Sequence, residues 1–500
     1  MQNLKILFFL VCIWLPYLAE SQVKFYELFT NNGYDFGQGI TQLEDSSYVV
    51  TGSSSSFVEG ASQAFLLKID KFGTYKWSAS YGGIESEGGR RVLYKKNVGF
   101  YIAGYTNSIG KGGFDNYLVK TDESGNFLWE KSYGGTGWEK VNDATMLLDT
   151  GIMMVGLTNT NTAGNDDIYI VRTDKEGDTL WTKTLGGNGD DVATCIRQLN
   201  DSICIIGGQT YVQDSLLKKA YLLCIKTNGE IQWEHYYGNK GEYIFNDLCI
   251  VGDHINPVGS NLFPLNSELD AYSAKIDTSG AFISEFLTVT PGRESYELTT
   301  TYSAVDKIYL AYSRLLEGTT FPVGEDLNIA RFNEANYGWE GLAFGITNTG
   351  DDIGGQIIST SDGGAIVVGY TTSYGSGGKN VFIAKIGIND DFPLTDGVPT
   401  TYSLVQLEEQ FLHEDIALYP NPASSELYVK IPNDLSEIII STISGQRISG
   451  ITLQQINNLS VNDTQENLCR INLDTLESGN YYISLISKTM IINKMFTIIK

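Results

Sequence analysis

Seven acidic residues stand at one fixed spacing and are the first candidates for chemistry. Asp35, Glu87, Glu139, Asp190, Glu242, Glu294 and Asp352 each precede a small residue by seventeen positions: Gly52, Gly104, Gly156, Gly207, Gly259, Ala311 and Gly369. Two places beyond each small residue stands a polar one: Ser54, Thr106, Thr158, Gln209, Asn261, Ser313 and Thr371. Carboxylates gathered on one face could attract a cation, floor a ligand site, or supply the acid and base of glycoside cleavage. They could equally accept hydrogen bonds from the adjacent strand and fix the fold. A group repeated in every unit serves the unit more readily than one asymmetric ligand. Calcium would suit such carboxylates, but no loop pattern supports it, and no cofactor is expected.

Other chemistries find less support. His235, His254 and His413 are the only histidines and stand in unrelated settings, so neither a His-based triad nor a metal cluster is expected. No G-x-S-x-G occurs. The cysteines form no C-x-x-C pair; Cys195, Cys204, Cys224 and Cys249 fall on strand-like apolar runs, which suits buried thiols or a disulfide. A formal net charge of -25 repels phosphate backbones and argues against nucleic acid.

The elements that position the acids come from an internal repeat. QAFLLKIDKFGTYKWSASYGG, FDNYLVKTDESGNFLWEKSYGG, DDIYIVRTDKEGDTLWTKTLGG and AYLLCIKTNGEIQWEHYYGN align, and three weaker copies follow. A basic residue marks all seven units: Lys68, Lys120, Arg172, Lys226, Lys275, Arg331 and Lys385, about fifty-three residues apart. Alternation such as Ile168, Ile170 and Arg172 against Tyr169 and Val171 predicts strands, two before each small residue and two after. Asp122 and Gly125 read as turn chemistry: the Asp caps its own turn and the Gly takes positive φ. Lys120 and Trp129 belong to the same structural set, Trp129 as core between units.

The seventh unit stops before its fourth strand. Residues 23–35 align without gaps on residues 127–139, placing Phe25 at the Trp129 position and Asp35 at that of Glu139. An N-terminal strand that completes the last unit closes a ring. The prediction is an all-β chain, with a seven-bladed β-propeller over residues 22–388. The units resemble the secreted seven-bladed β-propeller repeat family, with its G-[YL]-T and KxDxxGxxxW elements. Units five and six depart most: Ser284 replaces the Trp, Ala311 the Gly, and both lose the GG pair. The D-x-x-G-x-x-x-W element differs by one residue from both the Asp-box of sialidases and the tryptophan-docking repeat of quinoproteins, so neither activity carries over.

Strand direction puts the acids on one face, here face A, beside the ends of the second strands, with the basic residues toward face B. The loops between strands two and three also emerge on face A and differ from unit to unit, which is where binding is expected. Tyr105, Trp138 and Tyr370 lie near that face, with Glu87, Glu139 and Asp352.

The two ends of the chain speak of export. Lys5, the apolar run 6–15 and the small residues Ala19 and Ser21 read as a signal peptide over residues 1–21. No transmembrane helix is expected in the mature chain. Residues 389–414 carry no repeat element and read as a linker. From 415 to 500, YPNPASSELYVKI, TISGQRI, LESGNYYISL and the final KMFTIIK follow in order, with strand-like runs that suit a small Ig-like β-sandwich. They resemble the C-terminal sorting domain of Bacteroidetes type IX secretion. The resemblance implies type IX machinery as partner and a secreted or outer-membrane-surface destination. The segment 454–468 is longer than the resemblance leads one to expect.

Three functions follow. The first is a non-enzymatic exported propeller that binds a glycan or protein ligand. The second is a polysaccharide hydrolase or lyase using face A carboxylates. The third is a structural surface-layer protein.

Overall fold

The computed structural model describes residues 24–500 apart from 58–60, 163–164, 213–216, 239–240, 263–268, 288–292, 295–298, 304–306, 316–324, 334–338, 346–349, 377, 388–399, 404–417, 420–422, 431–434, 443–447, 449–452, 462–463 and 488–490. The signal peptide expected at 1–21 and parts of the variable loops lie outside the described residues. Among those described, regular structure is all strand, and no helix is long and apolar enough to cross a membrane.

Seven sheets succeed one another along the chain. Blade two shows the plan: Glu87–Lys95, Gly99–Thr106, Asp115–Thr121 and Phe127–Tyr133 pair antiparallel in sequence order. Its third strand is buried throughout, and its fourth is only half-covered along most of its length. The reason is position: middle strands are covered by a neighbour on each side, so they read as continuous apolar runs. The core therefore lies between blades. Val49 and Leu66 of blade one pack with Ile102 and Val119 of blade two. Each such side chain contributes about 1.5–3 kcal/mol on burial.

The ring closes as the alignment predicts. Phe25–Thr30 pairs antiparallel with Asn380–Ile386, and Phe25 faces Lys385 as Trp129 faces Lys120. A fifth strand then joins this blade. Thr400–Ser403 runs parallel to Phe25–Thr30, with Tyr402 stacked on Phe29 at 5.4 Å between ring centres. Part of the segment expected to be plain linker is thus built into the closing blade, because the outer edge of Phe25–Thr30 offers unpaired backbone groups.

The C-terminal region forms two sheets. One orders Leu418–Tyr419, Glu426–Lys430, Thr464–Asn472 and Leu453–Val461; the other orders Leu435–Thr442, Gly479–Ser487 and Ile491–Ile498. Leu427, Val429 and Ile471 from the first share a core with Ile440, Ile483 and Ile498 from the second. Of the long segment 454–468, residues 454–461 and 464–468 fall in the antiparallel pair of Leu453–Val461 with Thr464–Asn472.

Candidate functional site

The repeated carboxylates are held by clasps. In blade three Glu139 lies opposite Thr158; Thr158 and Thr160 hydroxyls both donate to Oε1 at 2.6 Å, and Gly135 N–H donates to Oε2 at 2.7 Å. In blade two Thr106 donates to Glu87 Oε1 at 2.8 Å, and Gly83 N–H donates to Oε2 at 2.9 Å. Ser54 and Ser56 donate to Asp35 in blade one, and Ser373 donates to Asp352 at 2.7 Å in blade seven. The YGG motif has its reason here. The second glycine supplies the N–H, and a Cβ on the first, Gly134, would fall 2.2 Å from Glu139 Oε2. The tyrosine reaches the other face, where Tyr133 Oη donates to Gly177 O of the next blade at 2.7 Å.

Glu87, Glu139 and Asp352 are accordingly buried beneath face A, at 0, 1 and 0 % exposure. Asp352 is the least satisfied. Its Oδ1 has no partner in hydrogen-bonding geometry, and burial pushes its carboxyl up to about 6, against the opposing hydroxyls of Thr371 and Ser373.

Three blades depart from the expected set. In blade four Val192 pairs with Gln209, so Asp191 rather than Asp190 takes the clasp: Thr210 donates to its Oδ1 and Gly187 N–H to its Oδ2 at 2.8 Å. Gly208, not Gly207, makes the close approach, to Val192 O. Asp190 instead pairs with Lys218 at 3.3 Å. The doubled Asp and doubled Gly satisfy the same spacing one residue apart, and a one-residue slip exchanges the two faces of a strand. In blade five Tyr243 faces Asn261, while Glu242 faces Leu262. Tyr243 fills the acid's place over Gly238 and packs edge-on against Tyr272 at 5.1 Å. In blade six Glu294 faces Arg314, not Ser313.

The residues that recur from blade to blade hold the turns and edges. Asp122 Oδ1 accepts N–H bonds from Ser124 and Asn126 at 2.8 and 2.9 Å, and Gly125 has φ +83°. A Cβ at Gly125 would also lie 2.7 Å from the Trp77 ring of the preceding blade. Trp129 sits likewise against Gly177 of blade three. Lys120 is 5 % exposed and donates to Val98 O and Thr121 O at 2.6 and 2.9 Å; burial holds its ammonium down at about 8. Cys195, Cys204, Cys224 and Cys249 are buried free thiols, their pKa values pushed up by burial.

A second ring, at the axis, has no forerunner in the sequence reading. The first strand carries a β-bulge between Gly89 and Arg91, Val141 and Asp143, Phe245 and Asp247, and Gly354 and Gln356. The bulge re-aims the next side chain toward the neighbouring blade. Arg91 donates to Asp143 at 2.5 Å, Arg197 to the same carboxylate at 2.6 Å, and Arg197 also pairs with Asp247. Asp143 accepts Ile196 N–H at 3.0 Å, Asp247 accepts Thr300 N–H at 3.1 Å, Thr299 accepts Ile357 N–H at 3.3 Å, and Gln356 accepts Ile40 N–H at 2.8 Å. Burial alone would raise the Asp143 carboxyl; Arg91 and Arg197 outweigh it and hold it below the ordinary carboxylate range.

The aromatic candidates divide. Tyr105 and Tyr370 line one depression on face A, together with Phe36, Gln38 and Arg90, which the sequence did not single out. Phe36 meets Tyr370 edge-on at 5.1 Å, with Lys379 Nζ 4.0 Å from the Tyr370 ring centre. Trp138, 56 % exposed, lies outside the depression but continues its aromatic edge through Phe114, 5.2 Å from Trp138 and 5.4 Å from Tyr105. Among the described residues no three His, Cys, Asp or Glu side chains gather as a metal site.

Comparison with known proteins matches residues 417–499 to the secretion system C-terminal sorting domain. A stretch of 135 residues is 25% identical to the regulatory protein FlaEY of Caulobacter vibrioides, covering 24% of this chain and 14% of that protein, so the chain spans a small part of its length. Solved structures show low overall likeness. A fungal alcohol oxidase of the AA5 family in complex with copper is 11% identical, with TM-score 0.42, over 94% of this chain and 100% of that one. The β-propeller domain of the Trilobed protease from Pyrococcus furiosus is 9% identical, with TM-score 0.40, over 74% and 100%. The C-terminal match marks the chain for secretion or the cell surface, and the chain is a seven-bladed β-propeller carrying a secretion system C-terminal sorting domain.

Proposed function

We propose that the propeller is an exported, non-enzymatic binding module that takes a glycan or protein ligand on face A. One contrast supports this reading. Glu87 and Glu139, which a hydrolase would use, are buried and occupied by the donors of their own blades, while Tyr105, Tyr370 and Trp138 stand at the open face. A rigid ring with aromatic groups at one face suits recognition. Export follows the type IX route, with a signal peptide at 1–21 for the inner membrane and residues 415–500 read by the type IX machinery.

The full chain should bind components of a glycan and protein-ligand array without forming product from a polysaccharide panel. Product formed without stable binding would sink the reading. The second reading, a hydrolase, would use Asp352: burial keeps its proton up to about 6, as a general acid requires, but at 0 % exposure it reaches a substrate only if its clasp opens. Loss of product formation in Asp352→Asn, with the ring still folded, would establish that second reading.

A further inference from the structure

The depression on face A is asymmetric, and its chemistry narrows the ligand. Four of its residues are strand neighbours of the clasps: Phe36 follows Asp35, while Ser53, Tyr105 and Tyr370 precede Ser54, Thr106 and Thr371. Successive residues on a strand point to opposite sides. The carboxylates of Asp35, Glu87 and Asp352 therefore turn into their clasps, and their strand neighbours turn to the opening. Only part of the ring is built this way. The positions matching Tyr105 are Leu157 in blade three and Gln209 in blade four, one place before the clasp residues Thr158 and Thr210. At Gly88 a Cβ would fall 2.5 Å from Tyr105 Oη, so the missing side chain is what lets the ring lie over the strand.

One cation lines the depression and a second lies against two of its rings, in a chain of net charge -25. Arg90, the bulged residue of blade two, lines the depression, with Nη1 donating to Gln38 Oε1 at 2.7 Å. Lys379 lies 4.0 Å from the Tyr370 ring centre and 4.9 Å from that of Phe36. A planar guanidinium suits a carboxylate, and flat rings beside a hydroxyl and an amide suit a sugar ring. The volume, about 250 Å³, falls short of the roughly 300–1,000 Å³ that drug-sized ligands occupy. It fits one residue of a chain, not a whole oligosaccharide.

We infer that this depression between blades seven, one and two binds one carboxylate-bearing sugar residue of an acidic polysaccharide, Arg90 taking the carboxylate and Tyr105 and Tyr370 the ring. The inference rests on the proposed binding role of face A. Titration calorimetry on the full chain tests it, with trigalacturonate and trimannuronate as acidic probes and the methyl ester of trigalacturonate as the neutral one. At least one acid should bind about tenfold tighter than the ester, and added salt should reduce the preference. Arg90→Gln should abolish that preference; Tyr105→Ala should weaken both forms. If Arg90→Gln lowers the melting temperature, Lys379→Met, outside the bulged strand, takes its place and should halve the preference or more. Equal binding of acid and ester, no binding of either acid, or an intact preference in these variants overturns the inference. The wider binding role survives those results so long as the array finds another ligand, and falls if the array is blank.

Discussion

The two halves of the axial ring make the same bond with different chemistry. Leading into blades four and six, the acceptor of the buried N–H is a carboxylate, Asp143 or Asp247. Leading into blades seven and one, it is neutral, Thr299 or Gln356. The seam thus needs an acceptor for a buried backbone donor, not a charge. Charge enters only where Arg91, buried, and Arg197, half-buried, stand beside it and must themselves be paired. The charged half has more to lose from a single substitution, because each group removed strands another.

Asp143→Ala should cost about 3–5 kcal/mol in denaturant unfolding, since it leaves two guanidinium groups without their shared carboxylate. Gln356→Ala removes one neutral acceptor and should cost about 1–2 kcal/mol. Equal losses from the two would end the distinction between the halves. A pH series sharpens it. The Asp143 carboxyl is held below its unfolded value, so its contribution is complete above about pH 4 and is lost as pH falls through the lower folded value. The gap between wild type and Asp143→Ala should narrow in strong acid, while that for Gln356→Ala should not move.

Asp352→Asn should have the opposite sign, a gain of about 1–3 kcal/mol at neutral pH. The folded carboxyl is raised to about 6, so the folded state holds its proton longer than the unfolded one. Wild-type stability therefore declines as pH rises from about 4 to about 6, and the variant should lack that slope. A stability profile unchanged by the substitution would show that Oδ1 is satisfied in solution.

The clasps were partly legible, and the reason lies in local geometry. Glu87 with Thr106 and Glu139 with Thr158 are partners within one hairpin, nineteen residues apart, and a fixed offset repeated by every blade stands out. Blade four misleads because Asp190–Asp191 and Gly207–Gly208 fit the offset in either register. Blade five misleads because a tyrosine ring fills the acid's space, and nothing local marks Tyr243 as its substitute. The depression was half legible. Tyr105 and Tyr370 follow from strand direction, whereas Arg90 and Phe36 come from first strands whose bulges and neighbours the repeat does not disclose.

The sequence by itself determined the unit, the number of blades, the closure by Phe25–Thr30 and the sorting domain, because each rests on short-range alternation, turn residues and counting. Only the tertiary structure decided the axial ring and the composition of the face A depression. Arg91 and Asp143 lie 52 residues apart and Asp143 and Ile196 lie 53, one full blade each, and the acceptor of a buried N–H can be Asp, Thr or Gln. A role that any of several residue types can fill leaves no pattern along the chain; it is fixed when the closed ring brings neighbouring first strands together around the axis.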